Sequence, residues 1–306
     1  MSEAGSKRRL GPAVHVVLAN VQVAFASLAV EGKIAMNRYG VSPAALAMTR
    51  IAGGAAVFMT LHLASGSPRL RSIRDAAELA LLAVFGIVLN QALFLAGLSR
   101  TQPMSATLLV ATIPVFVASI AAATGREPLT RRTAAGIAVA FSGVFVLTGF
   151  AFPARGDLLV LLNALSYATY VVFAKGALER LGTATVVAWV FTFGAVLFAP
   201  FGGAALLREA PAWPAPALLL VGFIVLVPTV VAYSGSAWAL ERAPSTLVAV
   251  YVYLQPLVTA TLAWIQLGTP PEARSGVAAG LILLGVTIVA TAPRQARRGA
   301  EVRSTR

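Results

Sequence analysis

Apolar stretches recur along the whole chain, separated by short segments that carry charged residues, glycine or proline. Each stretch is about 20 residues long, and a helix of that length crosses the roughly 30 Å hydrocarbon core of a membrane. The connections are short, which leaves little chain for a soluble domain. The pattern predicts ten transmembrane helices, over residues 13–31, 44–64, 76–97, 104–124, 134–151, 157–174, 184–206, 216–240, 244–267 and 275–292.

The composition also indicates a membrane protein. Of 306 residues, 58% are hydrophobic and 11% are charged, whereas charged residues make up about a quarter of an ordinary soluble domain. We therefore predict an all-α integral membrane protein. The first apolar run follows Lys7, Arg8 and Arg9, as in a signal peptide. We expect it to be retained, because His15 and Gln22 interrupt its apolar core.

The positions of the basic residues indicate how the helices are oriented. The formal net charge is +13, yet Lys and Arg lie between the apolar stretches, so the expected partner is a bilayer and not nucleic acid. One set of alternate connections and tails holds 17 of them and the other set holds 6. Short loops rich in Lys and Arg stay in the cytoplasm. The bias predicts a multi-pass protein of the bacterial inner (plasma) membrane with both termini cytoplasmic.

The chain repeats itself internally. A shift of 142 positions aligns its two halves, residues 1–152 and 153–306, and the second half ends in a basic tail that we expect to be cytoplasmic. Because each half contains five predicted helices, the second half must enter the membrane from the opposite face, with a substrate site at the shared centre. The sequence thus predicts two inverted five-helix repeats. The matched pairs are Lys33 and Lys175, Arg38 and Arg180, Gly40 and Gly182, Arg100 and Arg242, Pro114 and Pro256, Arg132 and Arg274, and Gly143-Val144 and Gly285-Val286.

One stretch of the first half carries a family resemblance. Its residues are Phe85-Gly86, Asn90-Gln91, Gly97-Leu98, Ala106-Thr107-Leu108-Leu109, Pro114, Gly125-Arg126-Glu127, Gly136 and Gly143-Val144. In order, spacing and duplication these residues resemble the EamA-type repeat of the drug/metabolite transporter superfamily. The resemblance implies ten helices around a central cavity, cytoplasmic termini and, commonly, export of amino acids or related metabolites. Thr269 stands where the second copy would match Glu127, so no symmetric role is expected for that carboxylate.

Two prolines occupy equivalent places inside predicted helices. Pro114 and Pro256 cannot donate to the carbonyls four residues earlier, those of Val110 and Val252, and such groups need another partner or cavity water. We interpret the prolines as hinges near the centre of the membrane. The alternative is a kink that only improves packing.

Polar side chains at membrane depth are expected to face the interior of the bundle. Several of them follow helical spacing, and as a set they predict a polar and aromatic substrate cavity. For each residue alone, the alternative is an ordinary hydrogen bond between helices. The predicted cavity residues are Asn20, Asn90, Gln91, Asn163, Tyr167, Tyr170, Tyr233, Ser236, Tyr251 and Gln255.

Arg50 is the one basic residue well inside a predicted helix. A charge there costs about 2.5 to 3.5 kcal/mol if it lies at the helix centre. It could bind a substrate carboxylate through its planar set of donors. It could equally reach the membrane surface, or hold a carbonyl or an acid such as Glu31. We count it among the substrate-binding candidates.

The residues that other functions would need are missing. The sequence has no cysteine, no phosphate-binding loop, no GxSxG and no cluster of His, Asp and Glu, so an enzyme, a metal site and a cofactor are not expected. The acids Glu31, Asp157 and Glu241 lie near helix ends, which favours passage without a coupling ion. His15 and His62 could titrate near neutral pH, although a satisfied or interfacial histidine is commoner.

Small residues form two stripes, Gly276 with Gly280, and Ala134 with Ala138 and Ser142. Such stripes let helices approach closely. They predict contacts within the bundle or, as an alternative, a homodimer.

Together these features predict a transporter, and an exporter by preference, of small metabolites such as amino acids or similar zwitterions. It would work by alternating access around a cavity at the centre of the membrane. The alternatives are efflux of drugs or organic cations, and a membrane sensor or scaffold that transports nothing.

Overall fold

A computed structural model of the chain describes residues 12–66, 70, 72–125, 130–147, 154–243, 248 and 251–290. The predictions for Lys7, Arg8, Arg9 and Glu127 fall outside these residues. The described part is helical and contains no strand. Its helices are α1 (Pro12–Tyr39), α2 (Pro43–Ala64), α3 (Ile73–Leu98), α4 (Pro103–Ala123), α5 (Arg131–Leu147), α6 (Arg155–Leu181), α7 (Thr183–Ala212), α8 (Ala215–Arg242), α9 (Leu254–Leu267) and α10 (Ala273–Ala290).

Helices α1 and α6 run well past their predicted ends at residues 31 and 174. Each ends at a glycine with positive φ, Gly40 at 68° and Gly182 at 78°, a conformation that glycine adopts without the steric cost of a Cβ. The charge of Lys33 does not end α1, because its Nζ donates to the carbonyls of Leu98 and Thr101, each at 2.9 Å. The lysine thus satisfies carbonyls at the end of α3 from within another helix.

Helices α3 and α8 each contain a π-helical segment. The segments are Val84–Leu89 and Leu226–Val231, and each residue of the second lies 142 positions after its counterpart. A third segment, Ala199–Gly203 of α7, has no such counterpart, because the equivalent positions lie in the regular helix α2. A π segment shifts the hydrogen-bond register from i+4 to i+5 and is often found at functional sites. The internal repeat of the sequence is therefore matched by a repeated irregularity of the backbone.

Helix α4 is not continuous but is interrupted near its centre. Its two parts, Pro103–Val110 and Ile113–Ala123, are joined by a turn at 111–112. Pro114 lies in the first turn of the second part, and Pro256 lies in the first turn of α9, after a 3-10 turn at Tyr251–Tyr253. Proline is tolerated there because the first turn of a helix does not need its N–H.

The helices pack in pairs that follow the repeat. Helix α1 packs against α8 and α9, and α6 packs against α3 and α4, which are the equivalent helices of the other half. The remaining large contacts join α2 to α7 and α5 to α10. Each half therefore inserts its first helix between two helices of the other.

Small residues bring α5 and α10 together, although they are not the predicted ones. A Cβ on Gly285 would lie 2.3 Å from the Ala140 nitrogen, and one on Gly143 would lie 2.9 Å from the Ala278 carbonyl oxygen. Gly276 and Gly280 face outward, and a Cβ on either would have no described atom within 4 Å. The prediction that they form a bundle contact is wrong, because the contact uses the opposite side of α10. The stripe of Ala134, Ala138 and Ser142 is also exposed.

Seven of the described helices are long and apolar enough to cross a membrane: α1, α2, α3, α4, α6, α7 and α8. Shorter apolar helices cover Ala134–Leu147 and Ala273–Gly285. Large apolar side chains lie on the outer surface, among them Phe201 at 72% exposure and Ile265 at 74%. Such a surface suits lipid contact, and the protein is a multi-pass membrane protein with an all-helical fold.

Candidate functional site

A cavity of about 70 Å³ lies between the two halves of the bundle, which is room for several water molecules. Most of its wall is apolar, and its polar groups come from both halves. The predicted residues that line it are Arg50, Asn90, Asn163, Tyr167, Tyr233, Ser236 and Gln255.

Hydrogen bonds link the cavity's polar groups across α3, α6 and α8. Asn163 Nδ2 donates to the Asn90 carbonyl at 2.7 Å, and the Tyr233 hydroxyl donates to Asn90 Oδ1 at 2.9 Å. The hydroxyls of Tyr167 and Ser236 lie 3.3 Å apart. Buried polar groups that bond one another in this way are held in defined positions.

A second polar link crosses between α1 and α9. Gln255 Nε2 donates to Gln22 Oε1 at 2.7 Å, and both side chains line the cavity. The amide N–H groups of Gln22 and the carbonyl oxygen of Gln255 are not used in this bond. The pair therefore offers a donor and an acceptor at the same wall.

Arg50 lies in the cavity wall and is only 2% exposed, so it does not reach the membrane surface. Its Nε donates to Thr229 Oγ1 at 2.9 Å and its Nη2 to the Pro228 carbonyl at 3.3 Å. The expected alternative of an ion pair with Glu31 is wrong, because Arg50 forms no ion pair within the described part of the chain. The guanidinium is thus a buried cation held by neutral groups, and the predicted alternative that Arg50 binds a carbonyl is confirmed.

Four predicted cavity residues lie elsewhere. Asn20 is exposed and donates to the Val16 carbonyl of its own helix. Tyr170 packs behind the cavity, where a Cβ on Gly86 would lie 2.4 Å from its ring. Tyr251 bonds His15 at 2.6 Å near the start of α1. Gln91 is buried, and its amide has no hydrogen-bond partner among the described residues.

Other residues of the wall were not predicted from the sequence, including Gln22, Phe25 and Phe94. The internal repeat could have found two of them, because the shift of 142 positions places Phe25 on Tyr167 and Phe94 on Ser236. Gln22 offers no such signal, since its counterpart is Ala164.

The two residues whose carbonyls the prolines leave without a helical donor, Val110 and Val252, both line the cavity. Pro114 and Pro256, each four residues later, are buried. The wall therefore carries a matched pair of backbone irregularities, one from each half.

Polar contacts join neighbouring segments at both ends of the bundle. At the end where α1 meets α2, Thr101 donates to Asp157 at 2.7 Å and the Ser42 N–H donates to Glu209 at 2.8 Å. At the other end, Thr183 donates to Glu241. Asp157, Glu209 and Glu241 thus bind groups of neighbouring segments, whereas Glu31 lies inside α1 (Pro12–Tyr39) and not near its end as predicted.

A second cleft opens beside α1, α2, α7 and α8, with Phe58, His62 and Trp238 in its wall. The rings of Phe58 and Phe191 lie 4.9 Å apart and those of Phe191 and Tyr233 lie 5.0 Å apart. An aromatic row therefore separates this cleft from the central cavity. His62 is 3% exposed in the last turn of α2, and its Nδ1 has no partner within the described ranges. His15 is a satisfied histidine, since it bonds Tyr251.

The described residues include no group of three or more His, Cys, Asp or Glu that could hold a metal ion. The groups available at the cavity are amides, hydroxyls, aromatic rings and one guanidinium. Such groups can bind a small organic molecule by hydrogen bonds and charge, and those described include no arranged nucleophile with a base.

Comparison with known proteins identifies transporters of one family. The model of the EamA-like transporter family matches residues 15–149 and again residues 154–291. An uncharacterized transporter of Archaeoglobus fulgidus is 27% identical over 225 residues, which cover 71% of this chain and 77% of the relative. A protein of Streptantibioticus cattleyicolor named a probable terminal-alkyne amino-acid exporter is 27% identical over 284 residues, 92% of this chain and 94% of the relative.

A solved crystal structure has a similar fold, with a TM-score of 0.65 over 90% of this chain and 97% of the other. At 20% sequence identity, this likeness concerns the arrangement of the helices only.

Proposed function

This chain belongs to the EamA-like transporter family, and from that premise we propose that it exports amino acids or similar zwitterions across a bacterial inner membrane, with both termini in the cytoplasm. The substrate binds in the central cavity. Apolar side chains such as Phe25, Leu28 and Phe94 make up much of the wall, so leucine is a suitable first probe.

The buried charge of Arg50 is the observation that supports the proposal most strongly. A buried charge without a partner of opposite sign is costly, and the described residues supply no carboxylate for this one. The planar guanidinium pairs well with a carboxylate. A substrate carboxylate in the cavity supplies the missing charge.

The same cavity can accept the ammonium group of a zwitterion. Oxygen acceptors are present on Asn90 and Gln255, and the rings of Phe25, Tyr167 and Tyr233 present aromatic faces that attract a cation. The guanidinium can bind the carboxylate of a zwitterion, and the side-chain oxygens and aromatic rings can bind its ammonium group.

We propose that ten helices cross the membrane as two inverted five-helix repeats, residues 1–152 and 153–306. The paired π segments, the paired helix ends at Gly40 and Gly182, and the reciprocal packing of α1 and α6 support this arrangement. The cavity then lies on a pseudo-twofold axis, as in other transporters built from inverted repeats.

Alternating access follows from this architecture. The two halves rock around the cavity, and the interruptions next to Pro114 and Pro256 act as hinges. The contact of Thr101 with Asp157 at one end and the ion pairs of Arg180 with Asp75 and Glu78 at the other join the two halves, and they break in turn. The proposal includes no coupling ion, because Asp157, Glu209 and Glu241 bind groups of neighbouring segments at the ends of the bundle.

Efflux of organic cations is the second candidate, favoured by the aromatic side chains of the wall. Arg50 argues against it, since a cation in the same cavity would be repelled. A scaffold without transport would need no buried cation beside a cavity.

Uptake by proteoliposomes tests the proposal. Vesicles that contain the purified protein and are loaded with unlabelled L-leucine should accumulate labelled L-leucine by exchange, whereas leucinamide, which lacks the carboxylate, should not compete. Transport of tetraphenylphosphonium without leucine exchange would instead support cation efflux. Absence of flux for all twenty amino acids would contradict the proposal.

A further inference from the structure

Arg50 is oriented by a residue outside the set that touches the cavity. Thr229 is fully buried, at 0% exposure, in the π segment of α8. Its hydroxyl donates to the Ile224 carbonyl at 3.0 Å and accepts from Arg50 Nε at 2.9 Å. A hydroxyl has one proton, and because Ile224 takes that proton, the lone pairs of Thr229 are left for the arginine.

The π segment makes this arrangement available. Thr229 lies five residues after Ile224, which is the spacing of the π register. The adjacent Pro228 carbonyl accepts from Arg50 Nη2 at 3.3 Å. Two neighbouring groups of one segment therefore hold one edge of the guanidinium, and Nη1 has no partner within the described residues.

Glycines of α2 permit the close approach that these bonds require. A Cβ on Gly54 would lie 3.3 Å from Thr229 Cγ2 and 2.6 Å from the Phe191 ring, and one on Gly53 would lie 2.7 Å from Val225. Helix α2 thus packs closely against α8 at and just before the π segment, one turn after Arg50, which brings Thr229 within hydrogen-bond distance of the arginine.

The two halves of the internal repeat differ at the positions of Arg50 and Thr229. The counterpart of Thr229 in the first half is Ile87, which packs at 2.7 Å from the Cβ position of Gly194. The counterpart of Arg50 is Thr192, whose hydroxyl donates to its own helix. One pair of positions in the repeat therefore carries both the charge and the group that orients it, and the equivalent pair carries neither.

We infer that Thr229 is the positioning residue of the substrate site: it fixes the Arg50 guanidinium so that its unused edge faces the cavity and receives a carboxylate. This inference rests on the proposed function for the carboxylate. The contact between Thr229 and Arg50 does not depend on which molecule is transported.

The test uses Thr229→Val, which keeps the shape and removes the hydroxyl, and Thr229→Ser, which keeps the hydroxyl. We expect Thr229→Val to raise the half-saturating concentration of L-leucine about tenfold, the effect of one lost hydrogen bond to a charged group. The maximal rate should change less, Thr229→Ser should restore the affinity, and inhibition by leucinamide should stay as weak as before.

A double-mutant cycle of melting temperatures without ligand accompanies the flux measurement. Thr229→Val should lower the melting temperature in the otherwise unchanged protein and lower it less in the presence of Arg50→Met. Additive melting temperatures, or an unchanged leucine affinity in a protein that binds leucine, would overturn the inference. Non-additive melting in a protein that binds no amino acid would support the contact and overturn the proposed function.

Discussion

We expect Arg50→Gln to abolish leucine exchange in proteoliposomes. Glutamine keeps hydrogen-bonding capacity towards Thr229 and Pro228 but removes the charge that the substrate carboxylate would meet. Removal of one partner of a buried charged pair costs about 2 to 5 kcal/mol, which is about thirtyfold or more in affinity. Binding of L-leucine to the purified variant, measured by calorimetry, reports the loss directly.

Arg131→Gln is the matched control, because Arg131 is exposed at the start of α5, away from the cavity. Its leucine affinity should equal that of the unchanged protein. An Arg50→Gln protein that melts as a folded protein and still binds L-leucine with unchanged affinity would show that the carboxylate is recognised elsewhere.

The second large effect concerns stability, at the contact between α5 and α10. In Gly285→Val the new side chain would begin 2.3 Å from the Ala140 nitrogen and 2.5 Å from the Gly136 carbonyl oxygen. Backbone cannot give way as a flexible side chain can, so the two helices must separate. We expect a loss of about 3 kcal/mol or more, measured as a large fall in melting temperature in detergent.

Gly280→Val provides the comparison on the same helix, because a Cβ there has open space within 4 Å. It should melt close to the unchanged protein. Equal effects of the two substitutions would mean that α5 and α10 do not meet through Gly285.

Periodicity located the helices because lipid demands long apolar stretches, and the starts of α2, α7 and α8 lie within one residue of those predicted. It placed the ends of α1 and α6 too early, since a charge such as Lys33 or Lys175 favours a loop over an apolar helix. Lys33 instead directs its charge to carbonyls of another helix, a contact that no local pattern can show. The π segments contain Gly86 and Pro228, which signal an interrupted helix but do not specify a π register.

The cavity residues that could be predicted from the sequence were those marked by a charge or by the internal repeat. Arg50 stands out in the sequence because a charge within an apolar run is rare. The prediction for Asn20 was wrong, because at 100° per residue it lies on nearly the opposite face of α1 from Gln22, which lines the cavity. Thr229 was missed, since threonine is common in apolar helices and its role depends on the register of a π segment.

The opposite orientation of the two halves is the central claim, and single-cysteine labelling tests it most directly. The chain contains no cysteine, so no native thiol interferes. Arg100 and Arg242 are equivalent in the repeat and both are exposed. An impermeant maleimide added to intact spheroplasts should label Arg100→Cys and not Arg242→Cys, and inverted vesicles should give the reverse. Labelling of both positions from the same side would contradict the inverted repeat.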